Sequence, residues 1–134
     1  MKQHFIDELF TLAQAVEPVR GARIAAGIVH RGKIVGYGYC HKKSHPFQAK
    51  FAKNEHAVFF HAETHAIKNA LNNISVSDLK KSSLYIARAR YKNTKAREWE
   101  YGLARPCEGC QNCIETFEIQ NIFYTLNRKG VAIH

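Results

Sequence analysis

The chain has 134 residues, 46% hydrophobic and 23% charged, enough for one core and too few for two, which excludes a multi-domain or wholly disordered chain and predicts a single domain over 1–134. No run approaches 18 apolar residues, and Asp7 and Glu8 stand where a signal peptide carries its apolar stretch, so a soluble cytoplasmic protein with no membrane partner is expected. Twenty Lys and Arg against eleven Asp and Glu leave a net charge of +9, an excess that fits an anionic partner.

Residues 4–16 place Phe5, Ile6, Leu9, Leu12, Ala13 and Val16 at helical spacing, and Pro18 closes the segment. Two apolar, β-branched runs follow, 23–29 and 33–39, split by His30-Arg31-Gly32, which is the pattern of a β-hairpin. From Cys40 to about Phe60 the chain is basic, bears His45 and His56, and is interrupted by Pro46; a long loop at a pocket rim is predicted. Residues 61–73 form a second helix with Ala66, Ile67, Ala70 and Leu71 as its apolar stripe, and 75–83 read as a polar connection. Leu84 to Ala87 read as a buried strand running into Arg88, Arg90 and Tyr91, and the stretch onward to Leu103 as a loop holding Trp99 and Tyr101. Pro106 opens a third helix that runs through Phe117. A strand over 121–126, a turn at 127–130 and a short return strand at 131–133 complete the chain. This order predicts a three-layer α/β fold, with a mixed central sheet of about five strands and helices on both faces.

Three of the four cysteines, Cys107, Cys110 and Cys113, fall within seven residues. Without a secretory context a metal site is the better reading than disulfides. Cys107 and Cys110, three apart, share a helix face, and the positive end of the helix dipole favours their thiolates. His61 at the start of the neighbouring helix completes a three-ligand set that leaves one position open for water, the pattern of catalytic zinc. Glu63 lies two residues on. It serves the same centre only if His61 sits at the helix boundary, where the sequence puts it, and it then acts as proton shuttle.

His61-Ala62-Glu63 together with Pro106-Cys107-Glu108-Gly109-Cys110 resembles the paired signature of the zinc-dependent cytidine/deoxycytidylate deaminase superfamily, over residues 20 to 126. The resemblance implies Zn2+ held by His61, Cys107 and Cys110, with Glu63 as the catalytic carboxylate. It implies a hydrolysis in which zinc-bound hydroxide attacks the carbon bearing an exocyclic amine and ammonia leaves, and a homo-oligomer. Substrate contacts are expected from Ala62, Asn54, Arg88, Arg90 and Trp99. The chain also departs from the family. The 46 positions between His61 and Cys107 are a long gap, Cys40 stands where relatives often carry an asparagine, and Ala104-Arg105 replace paired threonines. A return strand antiparallel to its predecessor is the arrangement of the nucleoside branch of the family.

Fifteen of the twenty basic residues fall in two acid-free stretches, from Arg20 to Lys53 and from Lys80 to Arg97. In a deaminase-like fold both would rim the pocket, which favours a substrate carrying phosphate. The expected activity is therefore conversion of cytosine to uracil in a (deoxy)cytidine nucleotide. The alternative is a base in nucleic acid, cytosine in single-stranded DNA or RNA or adenosine in tRNA. A rival of another class is a non-catalytic zinc-stabilised nucleic-acid-binding module, with Cys113 or His65 as a fourth ligand.

Overall fold

The apolar stripe at the amino end folds as helix α1 (Gln3–Gln14), burying Phe5, Ile6, Leu9 and Ala13. The structure, a computed structural model, describes residues 1–19, 21–41, 61–92, 98–127 and 130–133; the loop predicted from Cys40 to Phe60, with Asn54, His45 and His56, lies almost wholly outside them. Strands β1 (Arg23–His30) and β2 (Lys33–Tyr39) pair antiparallel. Their turn takes positive φ at both Arg31 (52°) and Gly32 (77°), the twist that a two-residue hairpin needs. Helix α2 (Ala62–Ala70), a short helix α3 (Val76–Leu79) and strand β3 (Ser83–Tyr91) follow. Then come β4 (Trp99–Gly102), helix α4 (Glu108–Thr116), β5 (Asn121–Thr125) and β6 (Val131–Ile133).

The sheet runs β2-β1-β3-β5-β6, with β4 also on β3. The β3–β5 pairing is parallel and the other pairings are antiparallel, including β5 with the return strand β6. Two short strands share the far edge of β3: β5 lies along Ser83 to Ile86 and β4 along Arg88 to Tyr91. Buried Thr125 closes the seam, its hydroxyl accepting from Arg88 N at 3.1 Å and donating to Gly102 O at 2.6 Å.

Alternation along β3 divides the core. Leu84 and Ile86 pack with Ile67, Leu79 and Ile114 on the face covered by α2 and α4, while Tyr85, Ala87 and Ala89 pack under α1 with Leu9. The layers match the expectation, and among the described residues the sheet has six strands where about five were expected. The loop expected up to Leu103 ends in β4, and the polar connection contains α3, held by a capping box between Ser75 and Asp78. Each is four residues long, less than the window over which periodicity accumulates. Among the described residues no helix is long and apolar enough to cross a membrane.

α2 lies unusually close to β2, and glycine makes that possible. A Cβ at Gly36 would stand 2.6 Å from Ala66 O, and one at Gly38 would stand 2.9 Å from Ala66 Cα. These are backbone atoms that cannot move aside cheaply. Gly38→Ala is therefore expected to lower unfolding free energy by about 2 kcal/mol or more in urea titrations. A loss within about 0.5 kcal/mol, the range of an ordinary surface change, contradicts this seating.

Candidate active site

Two helix amino termini meet beside the carboxyl end of β2. His61 is the residue before α2 and Cys107 the residue before α4, both with extended backbone (ψ 156° and 174°). Position outside the helical turn lets His61 and Glu63, two apart in sequence, approach the same centre. The buried Thr64 hydroxyl, which the sequence reading did not single out, fixes this corner by donating to His61 O at 3.1 Å.

The ligating atoms of His61, Cys107 and Cys110 all lie within 4.8 Å of one another, and His61 Nδ1 is 3.3 Å from each sulfur. Tetrahedral ligands at about 2.0 to 2.3 Å from zinc stand about 3.5 Å apart, so one imidazole and two thiols at this spacing fit that ion. Electrostatics agree. Cys107 is pulled down to about 4, first by the hydrogen bond from Cys110 and then by His61. Cys110, which donates that bond inside the protein, is held well above its ordinary value. The pair therefore holds one proton between the two sulfurs, and a bound cation would replace it.

Glu63 is 5% exposed. Burial pushes its carboxyl above the usual carboxylate range, with the Cys107 thiolate adding to the push and His61 opposing it. Cys113 is not part of the metal cluster found among the described residues; it sits in the core with Ile114 and Ile119, and burial pushes its thiol up to about 12. His65 is also outside that cluster, its Nδ1 lying against the backbone of Tyr39. Cys40 is buried, its sulfur accepting from Ile24 N and donating to Ala22 O, each at 3.4 Å.

The other expected substrate contacts separate. Ala62, the first residue of α2, is buried in the core. Arg88 and Arg90 continue the every-second-residue series of Leu84 and Ile86 and so share the face of the sheet that carries the site. Both Nε atoms are buried without a hydrogen bond among the described residues, although Arg90 Nε stands 3.1 Å from Glu100 Oε1 as an ion pair. Trp99 goes to the other face: it packs with the α1 core and stacks on Tyr91 at 4.2 Å. Asn54 lies outside the described residues.

In zinc-free protein the Cys107 thiolate exists above its folded pKa. Alkylation by iodoacetamide should therefore rise with a midpoint near 4, while Cys40 and Cys113 stay silent at neutral pH and bound zinc protects Cys107. An alkylation midpoint near the ordinary thiol value of 9.0 contradicts this.

Comparison with known proteins follows the same lines. The sequence model of the cytidine and deoxycytidylate deaminase zinc-binding region matches residues 1–126. The cytidine deaminase from Burkholderia pseudomallei superposes with a TM-score of 0.65 at 15% identity, covering 100% of this chain and 92% of that one. The dCMP deaminase from cyanophage S-TIM5 in complex with dCMP and dUMP gives 0.60 at 16%, covering 94% and 84%. Its apo form gives 0.57 at 17%, covering 94% and 86%. At such identities the likeness is one of fold. No match is found among curated proteins.

Proposed function

Since this chain belongs to the zinc-binding cytidine and deoxycytidylate deaminase family and is a zinc-dependent deaminase, we propose that it converts cytosine to uracil in a cytidine or deoxycytidine nucleotide, consuming water and releasing ammonia. The observation that carries this reading is a buried carboxyl, Glu63, in the first turn of α2 and hydrogen-bonded with Cys110, beside the converging group His61, Cys107 and Cys110. Zinc held by His61, Cys107 and Cys110 would supply a Lewis acid that lowers the pKa of a water bound to it towards about 7.

Glu63 supplies the proton traffic. A carboxyl raised by burial accepts a proton from the attacking water and passes it to the ring nitrogen beside the carbon under attack, then takes the second proton from the added hydroxyl and passes it to the amine, which leaves as ammonia. Because both transfers occur at one carboxyl, nothing else in the described site has to titrate. Arg88 supports the phosphate part of the reading: it carries permanent positive charge on the site's face of the sheet, with an Nε donor that makes no hydrogen bond among the described residues, while Arg90 beside it is ion-paired with Glu100. A homo-oligomer belongs to the same reading, and sedimentation tests it.

One observation favours a second substrate, a single-stranded nucleic acid. Tyr91 is 41% exposed and stacked on Trp99, with the Arg23 guanidinium 5.5 Å and 5.4 Å from the two ring centres; the stack lies on the α1 face, so a base stacks there only from a strand that runs on from the site's face round the sheet.

Glu63→Ala should retain zinc and lose ammonia release by about a hundred-fold or more; unaltered turnover overturns the mechanism. The substrate is decided by incubating the zinc-loaded protein with cytidine, its mono- and triphosphates, single-stranded DNA and RNA, and adenosine-containing tRNA. Cytidine belongs in the set because β6 returns antiparallel, as in the nucleoside branch. Turnover of nucleotides above cytidine, with Arg88→Ala raising KM and leaving kcat, supports the nucleotide. Preference for cytidine overturns it. Deamination of strands that falls steeply with salt favours the second reading.

A further inference from the structure

Among the described residues β2 is an outer strand of the sheet, with β1 on one side and no strand on the other. An open edge leaves a row of backbone groups to be satisfied by something else. Here α2 satisfies them. Asn69 Nδ2 donates to Tyr37 O at 2.7 Å, and Asn73 Nδ2, in the turn after the helix, donates to Val35 O at 2.8 Å. His65 Nδ1 stands 3.2 Å from Tyr39 N and 3.3 Å from Tyr39 O.

The spacing is regular: every fourth residue of the helical segment meets every second residue of the strand, in opposite chain directions. Four helical residues rise about 6 Å and two strand residues about 6.7 Å, so the rungs stay in step. Sliding α2 by one residue would turn it by about 100° and break all of them. Apolar packing alone does not index a helix in this way, because small shifts lose little contact. The glycine seat at Gly36 and Gly38 fixes how close α2 lies to β2; the polar rungs fix where it lies along β2. His61 is one turn before the first rung, so the axial position of α2 is also the position of His61 relative to Cys107 and Cys110 on the separate helix α4.

We propose that Asn69, with His65 and Asn73, is a positioning residue for the metal centre: it holds α2 in register on the β2 edge, and zinc affinity depends on it although it does not belong to the ligand cluster. The inference rests on the zinc-deaminase reading of the site and adds to it three side chains that set the ligand geometry from outside.

The test is zinc affinity, measured by competition with a chromophoric chelator on full-length protein shown to be folded by circular dichroism. Asn69→Leu keeps the side-chain size and removes the donor. Leu9→Ala serves as a control for general destabilisation, since Leu9 is buried in the core on the opposite face of the sheet. Asn69→Leu should bind zinc about ten-fold more weakly or worse, the scale seen when outer partners of metal ligands are removed. Leu9→Ala should melt lower and bind zinc as the unaltered protein does. Zinc affinity within about twofold of the unaltered protein in Asn69→Leu, or an equal loss in Leu9→Ala, overturns the proposal. If Asn69→Leu does not fold, Asn73→Leu, which removes the outermost rung, is read by the same criterion. Turnover plays no part in the readout, so failure here leaves the deaminase reading standing, and failure of that reading leaves this result interpretable.

Discussion

Backbone-to-backbone contact between α2 and β2 governs where the chemistry sits. Side chains normally hold a helix about 10 Å from a sheet. Gly36 and Gly38 remove the spacer at two successive inward positions, and Ala62, Ala66 and Ala70 present the smallest possible face opposite them. The helix descends until its own backbone meets the strand. That descent carries His61 and Glu63 to the level at which α4, arriving from the far side of β3, presents Cys107 and Cys110. A bulkier seam would leave all four residues in place in the sequence and separate them in space.

Charge then decides what the cluster can be. Two thiols, an imidazole and a buried carboxyl share one small volume. Two helix amino termini offset a part of the negative charge, at about 0.3 to 1 kcal/mol each, which is too little to keep two thiolates and a carboxylate side by side. A divalent cation would resolve the conflict by taking the thiolates, with Glu63 left beside them as a carboxyl able to exchange a proton. The net charge of +9 acts at longer range. It has no part in the bond-breaking step and bears on which substrates arrive.

Much of this was legible in the residues. The stripes of α1 and α2, the hairpin and the β5 run all carry period 3.6 or period 2 over enough length to read, and His61, Glu63, Cys107 and Cys110 declare themselves by type and spacing. β4 and α3 did not, since four residues give too few repeats. The face occupied by Trp99 was illegible for the same reason. Once β4 is known, pairing with Tyr91 puts Trp99 under α1 and leaves Arg88 and Arg90 on the side of the site. His65, Asn69 and Asn73 carry no signal of their own in the sequence, because their partners exist only once β2 runs beside the helix. Cys113, which could be counted as a ligand from its spacing, is withdrawn into the core by the helical turn that separates it from Cys110.

A three-ligand centre with an open position is the central claim, and the zinc-loaded protein can be asked directly by X-ray absorption at the zinc edge. The account predicts two sulfur scatterers at about 2.3 Å, one imidazole at about 2.0 to 2.1 Å and one further light atom from water. Three sulfurs, or two imidazoles with the two sulfurs, would mean that Cys113, Cys40 or a second histidine closes the site, and would contradict it.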